Sequence, residues 1–226
     1  MRPVIDFGCP KPTTMKTTHP IRLTALCLVY TLAMSAQNID KTSDEFRARF
    51  LEQIPSTSLS STHGDAMMLR VLIQTGNLKR GIEVGVAMGF GAIHMGMAFE
   101  RTGGTLTAIE IDPERAEGAR KRVAEVGLSK TVNVVAGDAL AVLPKLEGEY
   151  DFIYIDAHKP DYLKYLKAVE PKLRKGAVVV ADNVIVSARA MADFLEYLKS
   201  GKDYESVTIR ASDEKRDGML VAYKRR

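Results

Sequence analysis

Two apolar runs, residues 150–155 and 177–181, each stop at an aspartate, and that limits the fold of this chain more than any other feature. Tyr150, Phe152, Ile153, Tyr154 and Ile155 lead into Asp156; Ala177 to Ala181 lead into Asp182 and Asn183. Short, nearly continuous apolar stretches read as strands buried on both faces, the pattern of a parallel sheet covered by helices. In an open sheet of that kind ligands settle beyond the carboxyl ends of the strands. Neighbouring strands lie about 4.8 Å apart, so two carboxylates closing adjacent strands can share one small ligand.

The rest of the chain repeats the alternation. Strands are expected at 81–84, 106–111, 132–135, 151–155, 177–181, 206–210 and 219–223, and helices at 91–100, 113–126, 139–146, 162–173 and 188–200. Two more helices, 41–51 and 64–74, precede them; the second places Met67, Met68, Val71 and Leu72 at helical spacing. A polar connector over 55–64 joins these two. The order predicts an α/β fold: a Rossmann-like, seven-stranded, mainly parallel sheet with helices on both faces and right-handed crossovers. No internal repeat is visible, and a single domain is expected over 37–226.

Residues 1–36 read as a leader. From Met15 a basic start with Lys16 and Arg22 is followed by an apolar stretch over 23–34 and the small residues Ser35 and Ala36, the pattern of a secretory signal peptide. About 20 apolar residues are needed to span a bilayer, and this stretch is shorter. Export, periplasmic or secreted, is the expected location. An uncleaved membrane anchor, with membrane contact through the leader alone, and a cytoplasmic enzyme with an unstructured leader are the alternatives. Both cysteines, Cys9 and Cys27, lie in the leader. The formal charge of +4 also belongs mostly to it, since Arg2, Lys11, Lys16 and Arg22 face only Asp6, leaving 28 basic and 27 acidic groups in the domain. Nucleic acid is therefore not an expected partner.

Gly85, Gly89 and Gly91 follow the first strand and open a helix, so a ligand can approach the backbone closely. Such a turn also serves dinucleotide oxidoreductases, whose spacing is Gly-x-Gly-x-x-Gly; here the spacing differs. Glu110 closes the next strand, where an acid can accept both hydroxyls of a ribose. Asp138 and Ala139 close the third, placed to hold an adenine, although Asp138 serves equally as a helix cap. At the other end, Asp156, Asp182 and Asn183 offer only oxygen donors, a set suited to a hard divalent cation such as Mg2+. Three protein oxygens would leave octahedral positions open for two neighbouring hydroxyls. Lys159, three residues after Asp156, is placed to take a proton, a role open to lysine when a dication and partial burial favour its neutral form.

The segments Glu83-Val84-Gly85-Val86-Ala87-Met88-Gly89-Phe90-Gly91, Ile109-Glu110-Ile111-Asp112, Gly137-Asp138-Ala139, Ile155-Asp156-Ala157-His158-Lys159 and Ala181-Asp182-Asn183-Val184 resemble, in order and spacing, class I S-adenosylmethionine-dependent O-methyltransferases. The resemblance is to the cation-dependent subgroup that includes catechol and caffeoyl-CoA O-methyltransferases, and covers roughly residues 64–223. It implies S-adenosylmethionine held by Gly64, Glu83, Gly85, Gly89, Gly91, Glu110, Asp138, Ala139 and Asp156. It also implies a divalent cation, Mg2+ above all, on Asp156, Asp182 and Asn183, with Lys159 as catalytic base. The implied partner is a small catechol-like hydroxyl acceptor; a homodimer is compatible with the pattern.

This chain departs from catechol O-methyltransferases at several positions. Gly91 stands for a serine, Ala87 for a tyrosine and His158 for a tryptophan, and the chain has no tryptophan at all. Ala211 stands where the family carries the carboxylate that grips the second hydroxyl, leaving Asp213 or Glu214 as substitutes. His63, His94, Met88, Met95 and Met97 read as packing or helix-surface residues, and Lys224, Arg225 and Arg226 as a solvated tail. Two other functions stay open: a nicotinamide-dependent oxidoreductase, and a non-catalytic adenosyl-ligand-binding protein of the same fold.

Overall fold

The fold follows from which strand lies beside which. A computed structural model describes residues 40–55 and 61–226; the leader reading and residues 56–60 of the connector lie outside the described part. The strands are β1 (Arg80–Val84), β2 (Thr105–Glu110), β3 (Val132–Ala136), β4 (Tyr150–Ile155), β5 (Leu173–Ala181), β6 (Tyr204–Ile209) and β7 (Met219–Lys224), in the order β3-β2-β1-β4-β5-β7-β6. The first five are mutually parallel, and β7 runs antiparallel between β5 and β6. Strand order reverses between β1 and β4, the position where an open sheet leaves a crevice at its carboxyl edge.

The helices are α1 (Asp44–Glu52), α2 (His63–Thr75), α3 (Phe90–Thr102), α4 (Pro113–Glu125), α5 (Ala139–Val142), α6 (Tyr162–Val169) and α7 (Ala192–Ser200). They cover two cores, one on each side of the sheet. Strand β4 feeds both: Phe152 and Tyr154 enter one, Ile153 and Ile155 the other. Every residue of β4 is buried, which is why its sequence shows no polar alternation.

Three expected helices are shorter than their periodicity suggests, and proline explains two of them. Pro171 ends α6 and turns Glu170–Lys172 into a 3-10 segment; Pro144 does the same to α5. Proline lacks the amide that the helix would use and disfavours helical backbone in the residue before it. Strand β5 begins four residues earlier than expected, at Leu173, where the chain leaves that 3-10 turn. The C-terminal basic residues are not a free tail. Lys224 Nζ donates to the carbonyls of Glu170 and Leu173 at 2.8 and 2.7 Å, and the Arg225 amide donates to Asp203 O at 2.7 Å, because β7 is an inner strand whose end is tied down by its neighbours.

Candidate active site

Register decides which side chains meet. Val84 pairs with Ile155 and Ile155 with Ala181, so Gly85, Asp156 and Asp182 emerge side by side one residue beyond. Three amides continue the ladder there: Gly85 N donates to Ile109 O at 2.9 Å, Asp156 N to Val84 O at 2.9 Å and Asp182 N to Ile155 O at 3.0 Å. They open on a cavity of about 440 Å³, whose lining includes Gly85, Glu110, Asp138, Ala139, Asp156, Lys159, Asp182 and Asn183. The expected residues from both ends of the site thus share one space. Gly64, Glu83, Gly89 and Gly91 do not line it.

At the acidic end, Lys159 Nζ donates to Asp156 Oδ1 at 2.8 Å and to the Tyr162 hydroxyl at 2.9 Å. The Tyr154 hydroxyl lies 3.5 Å from Asp156 Oδ2 and 3.1 Å from Ser61 Oγ. Burial pushes the Asp182 carboxyl up to about 6, with the Asp156 charge adding; Lys215 and the Asn183 amide oppose this. Asn183 takes a left-handed backbone, φ 59°, which asparagine tolerates better than most residues. Asp217 fixes it there. One oxygen of Asp217 accepts from Asn183 Nδ2 at 3.2 Å, and the other from the amides of Ile185, Val186 and Gly218 at 3.0, 3.1 and 2.8 Å. With its NH2 group committed, the Asn183 amide oxygen is the atom left to a cation.

Glu110 is buried, and its two oxygens are already engaged. Oε2 accepts from the amides of Val86 and Ala87 at 3.1 and 2.8 Å; Oε1 accepts from the Asp112 amide at 3.1 Å and from Arg115 Nε and its terminal nitrogen at 3.0 and 2.8 Å. Burial raises the Glu110 carboxyl, but the Ala87 amide and Arg115 outweigh it and hold the group below its ordinary range. A hydroxyl that reached Glu110 would share Oε1 with Arg115 or Oε2 with the amides of Val86 and Ala87. Asp138 caps α5, accepting from Leu140 N at 2.9 Å through one carboxylate oxygen.

The glycines outside the lining serve close approach. A Cβ on Gly64 would stand 2.4 Å from Ala211 O, and one on Gly91 2.8 Å from Glu83 Oε1. Glu83 is buried with Oε2 unpaired, and burial pushes its carboxyl well up, the Asp156 and Glu110 charges adding. His94 is a packing residue as expected, buried against Phe90 and edge-on to His63.

Three residues that matter here were not singled out from the sequence. Asp65 follows Gly64 at the start of α2, and Lys215 and Asp217 lie between β6 and β7. Lys215 lines the cavity; neither Asp213 nor Glu214 does. The acid-rich stretch Asp213 to Asp217 was visible, but which of its members turns inward depends on the path of a loop, which carries no periodicity to read.

The model of the O-methyltransferase family matches residues 34–199. The chain belongs to that family. It is 34% identical over 142 residues to a catechol O-methyltransferase of Niastella koreensis, covering 61% of this chain and 63% of the relative. A caffeoyl-CoA O-methyltransferase of Petunia hybrida is 29% identical over 160 residues, 66% of each chain. These matches span just under two thirds of the relatives' length. Among solved structures, the O-methyltransferase TomG of Streptomyces achromogenes, in complex with SAM, superposes with a TM-score of 0.71 at 25% identity, over 88% of this chain and 96% of its own. The seven-stranded fold is that of these O-methyltransferases.

Proposed function

We propose that this protein transfers a methyl group from S-adenosylmethionine to a hydroxyl of a catechol-like small molecule, with the help of a divalent cation. The observation that carries the reading is the convergence of Asp156, Lys159, Asp182 and Asn183 on the cavity that also holds Glu110 and Asp138. The family membership and the SAM complex of TomG support the donor; the printed names of the curated relatives support the acceptor class. The nicotinamide alternative leaves Asp182 and Asn183 without work.

Two carboxylates and one amide oxygen, with no histidine or cysteine among them, fit Mg2+. When bound, such a cation would acidify a coordinated hydroxyl, whose pKa is about 10 in a phenol. The protein's own residues do the rest. Asp138 and the β3 end hold the adenine, and Glu110 the ribose. The negative end of the cavity suits a sulfonium donor. Lys159, steadied by Asp156 and Tyr162, takes the hydroxyl proton as the new oxygen–carbon bond forms and the sulfur–carbon bond breaks, so that S-adenosylhomocysteine leaves with the electron pair. Positioning and exclusion of water supply much of the acceleration of such an in-line displacement.

Titration calorimetry with S-adenosylmethionine and NAD+, each with and without Mg2+, tests the donor: the methyl donor should bind and NAD+ should not. Binding of NAD+ alone would restore the oxidoreductase reading. We also propose export through the leader; mass spectrometry of the mature protein should find Ala36 or Gln37 at its N-terminus. An intact Met1 or Met15 would contradict it.

A further inference from the structure

Lys215 stands at the acidic end of the cavity in an arrangement that the reaction does not itself require. Its Nζ lies 2.9 and 2.7 Å from the two oxygens of Asp182 and 2.7 Å from Asp65 Oδ2. Both carboxylates are almost withdrawn from water, at 1% exposure each. Lys215 donates to both oxygens of Asp182 and forms an ion pair with Asp65, so its ammonium is committed to these two carboxylates. A cation that engages both oxygens of Asp182 competes with a metal ion for the same carboxylate.

Asp65 gives the lysine a second station. It sits in the first turn of α2, where Thr62 Oγ1 donates to its Oδ2 at 2.7 Å, and its Oδ1 has no partner. Asp65 does not line the cavity. Burial of that charge needs a counter-ion, and Lys215 is the one it has among the described residues. The lysine also holds apart the electrostatic problem of Asp156 and Asp182, two like charges at neighbouring strand ends.

We propose that Lys215 is a tethered cation that occupies the Asp182 side of the metal site and withdraws onto Asp65 when a divalent ion binds. It keeps the site assembled without metal and lowers the affinity for metal, because each binding event must first break the contacts between Lys215 and Asp182. The inference rests on the proposed metal assignment of Asp156, Asp182 and Asn183.

The test is Mn2+ binding, read from the electron paramagnetic resonance signal of the free ion, in the full chain, in Lys215→Met and in Lys215→Met/Asp65→Asn. The double variant removes the Asp65 charge together with that of Lys215, so that only Asp182 loses its lysine, and it keeps the net charge of the unmodified protein, which separates release of Asp182 from a general charge effect. It also serves if the single variant does not fold. Mn2+ should bind at least about tenfold more tightly to both variants, or to the double variant where only that one folds. Unchanged or weaker binding in the double variant overturns the inference and leaves the metal assignment standing, and so does tightening in the single variant alone. If none of the three binds Mn2+ while all bind S-adenosylmethionine, the metal assignment falls and the inference with it.

Discussion

Gly85 backs directly onto Asp156: a Cβ added to the glycine would lie 2.1 Å from the Asp156 carbonyl oxygen, and Gly85 has φ 93°. The turn that would admit the methyl donor and the strand end that carries the acidic site are therefore one contact. Gly85→Ala should cost about 2 to 4 kcal/mol of stability, combining overpacking with a left-handed backbone. It should also displace Asp156, so that donor affinity and metal affinity fall together. Urea unfolding with parallel titrations checks this; an alanine variant of unchanged stability would show that the two strand ends are free to separate.

Glu110→Ala should weaken S-adenosylmethionine binding by about 1 to 3 kcal/mol, the usual cost of leaving partners of a charged hydrogen bond unmatched. The amides of Val86 and Ala87 lose their acceptor in the same change, so the turn should loosen as well. A calorimetric dissociation constant equal to that of the unmodified protein would place the ribose elsewhere.

Asp217 touches no ligand in this account, yet it orients Asn183. Removing a residue that orients a metal ligand commonly costs 10- to 100-fold in metal affinity. Asp217→Ala should therefore weaken Mg2+ or Mn2+ binding by about that factor and leave S-adenosylmethionine binding near its original strength. Equal loss of both would make Asp217 a support of the whole fold.

His94 sets a pH dependence of stability. Burial holds its pKa down at about 3, with the Arg70 and His63 charges adding, against an ordinary value of 6.5. Above pH 6.5 the imidazole is neutral in both the folded and the unfolded chain. As the pH falls from there toward 3, the unfolded chain takes up a proton that the folded chain refuses, so stability declines through that window. His94→Phe removes this part of the decline. Denaturant unfolding between pH 7 and pH 4 should give a shallower loss in the variant, whereas parallel curves would assign the acid sensitivity to other groups.

The centre of the sheet was legible because β4 and nearly all of β1 are buried on both faces, and because Asp156, Asp182 and Glu110 all mark carboxyl edges. Among the described residues, the seven strands and seven helices fall close to the expected spans, except where Pro144 and Pro171 cut helical periodicity short, where α7 starts only at Ala192 and where β5 starts already at Leu173. The acidic end of the site was legible for the same reason, since register alone brings Asp156 beside Asp182. What the sequence hid were contacts made by loops. Nothing in the spacing shows that Lys215 rather than Asp213 or Glu214 turns inward, or that Asp217 reaches back to Asn183 across more than thirty residues. Nor does the acid at Glu110 reveal that Arg115, five residues later, already engages one of its oxygens.

The central claim is metal-assisted methyl transfer through Asp156, Asp182 and Asn183. Its most direct test is mass-spectrometric detection of methylated product and S-adenosylhomocysteine from S-adenosylmethionine and a catechol, with Mg2+ and with excess EDTA, in the unmodified chain and in Asp182→Ala. One methyl group should appear on a ring hydroxyl with Mg2+ present, and turnover should vanish with EDTA or in the variant while the donor still binds. Undiminished transfer in excess EDTA, or in Asp182→Ala, would contradict the account.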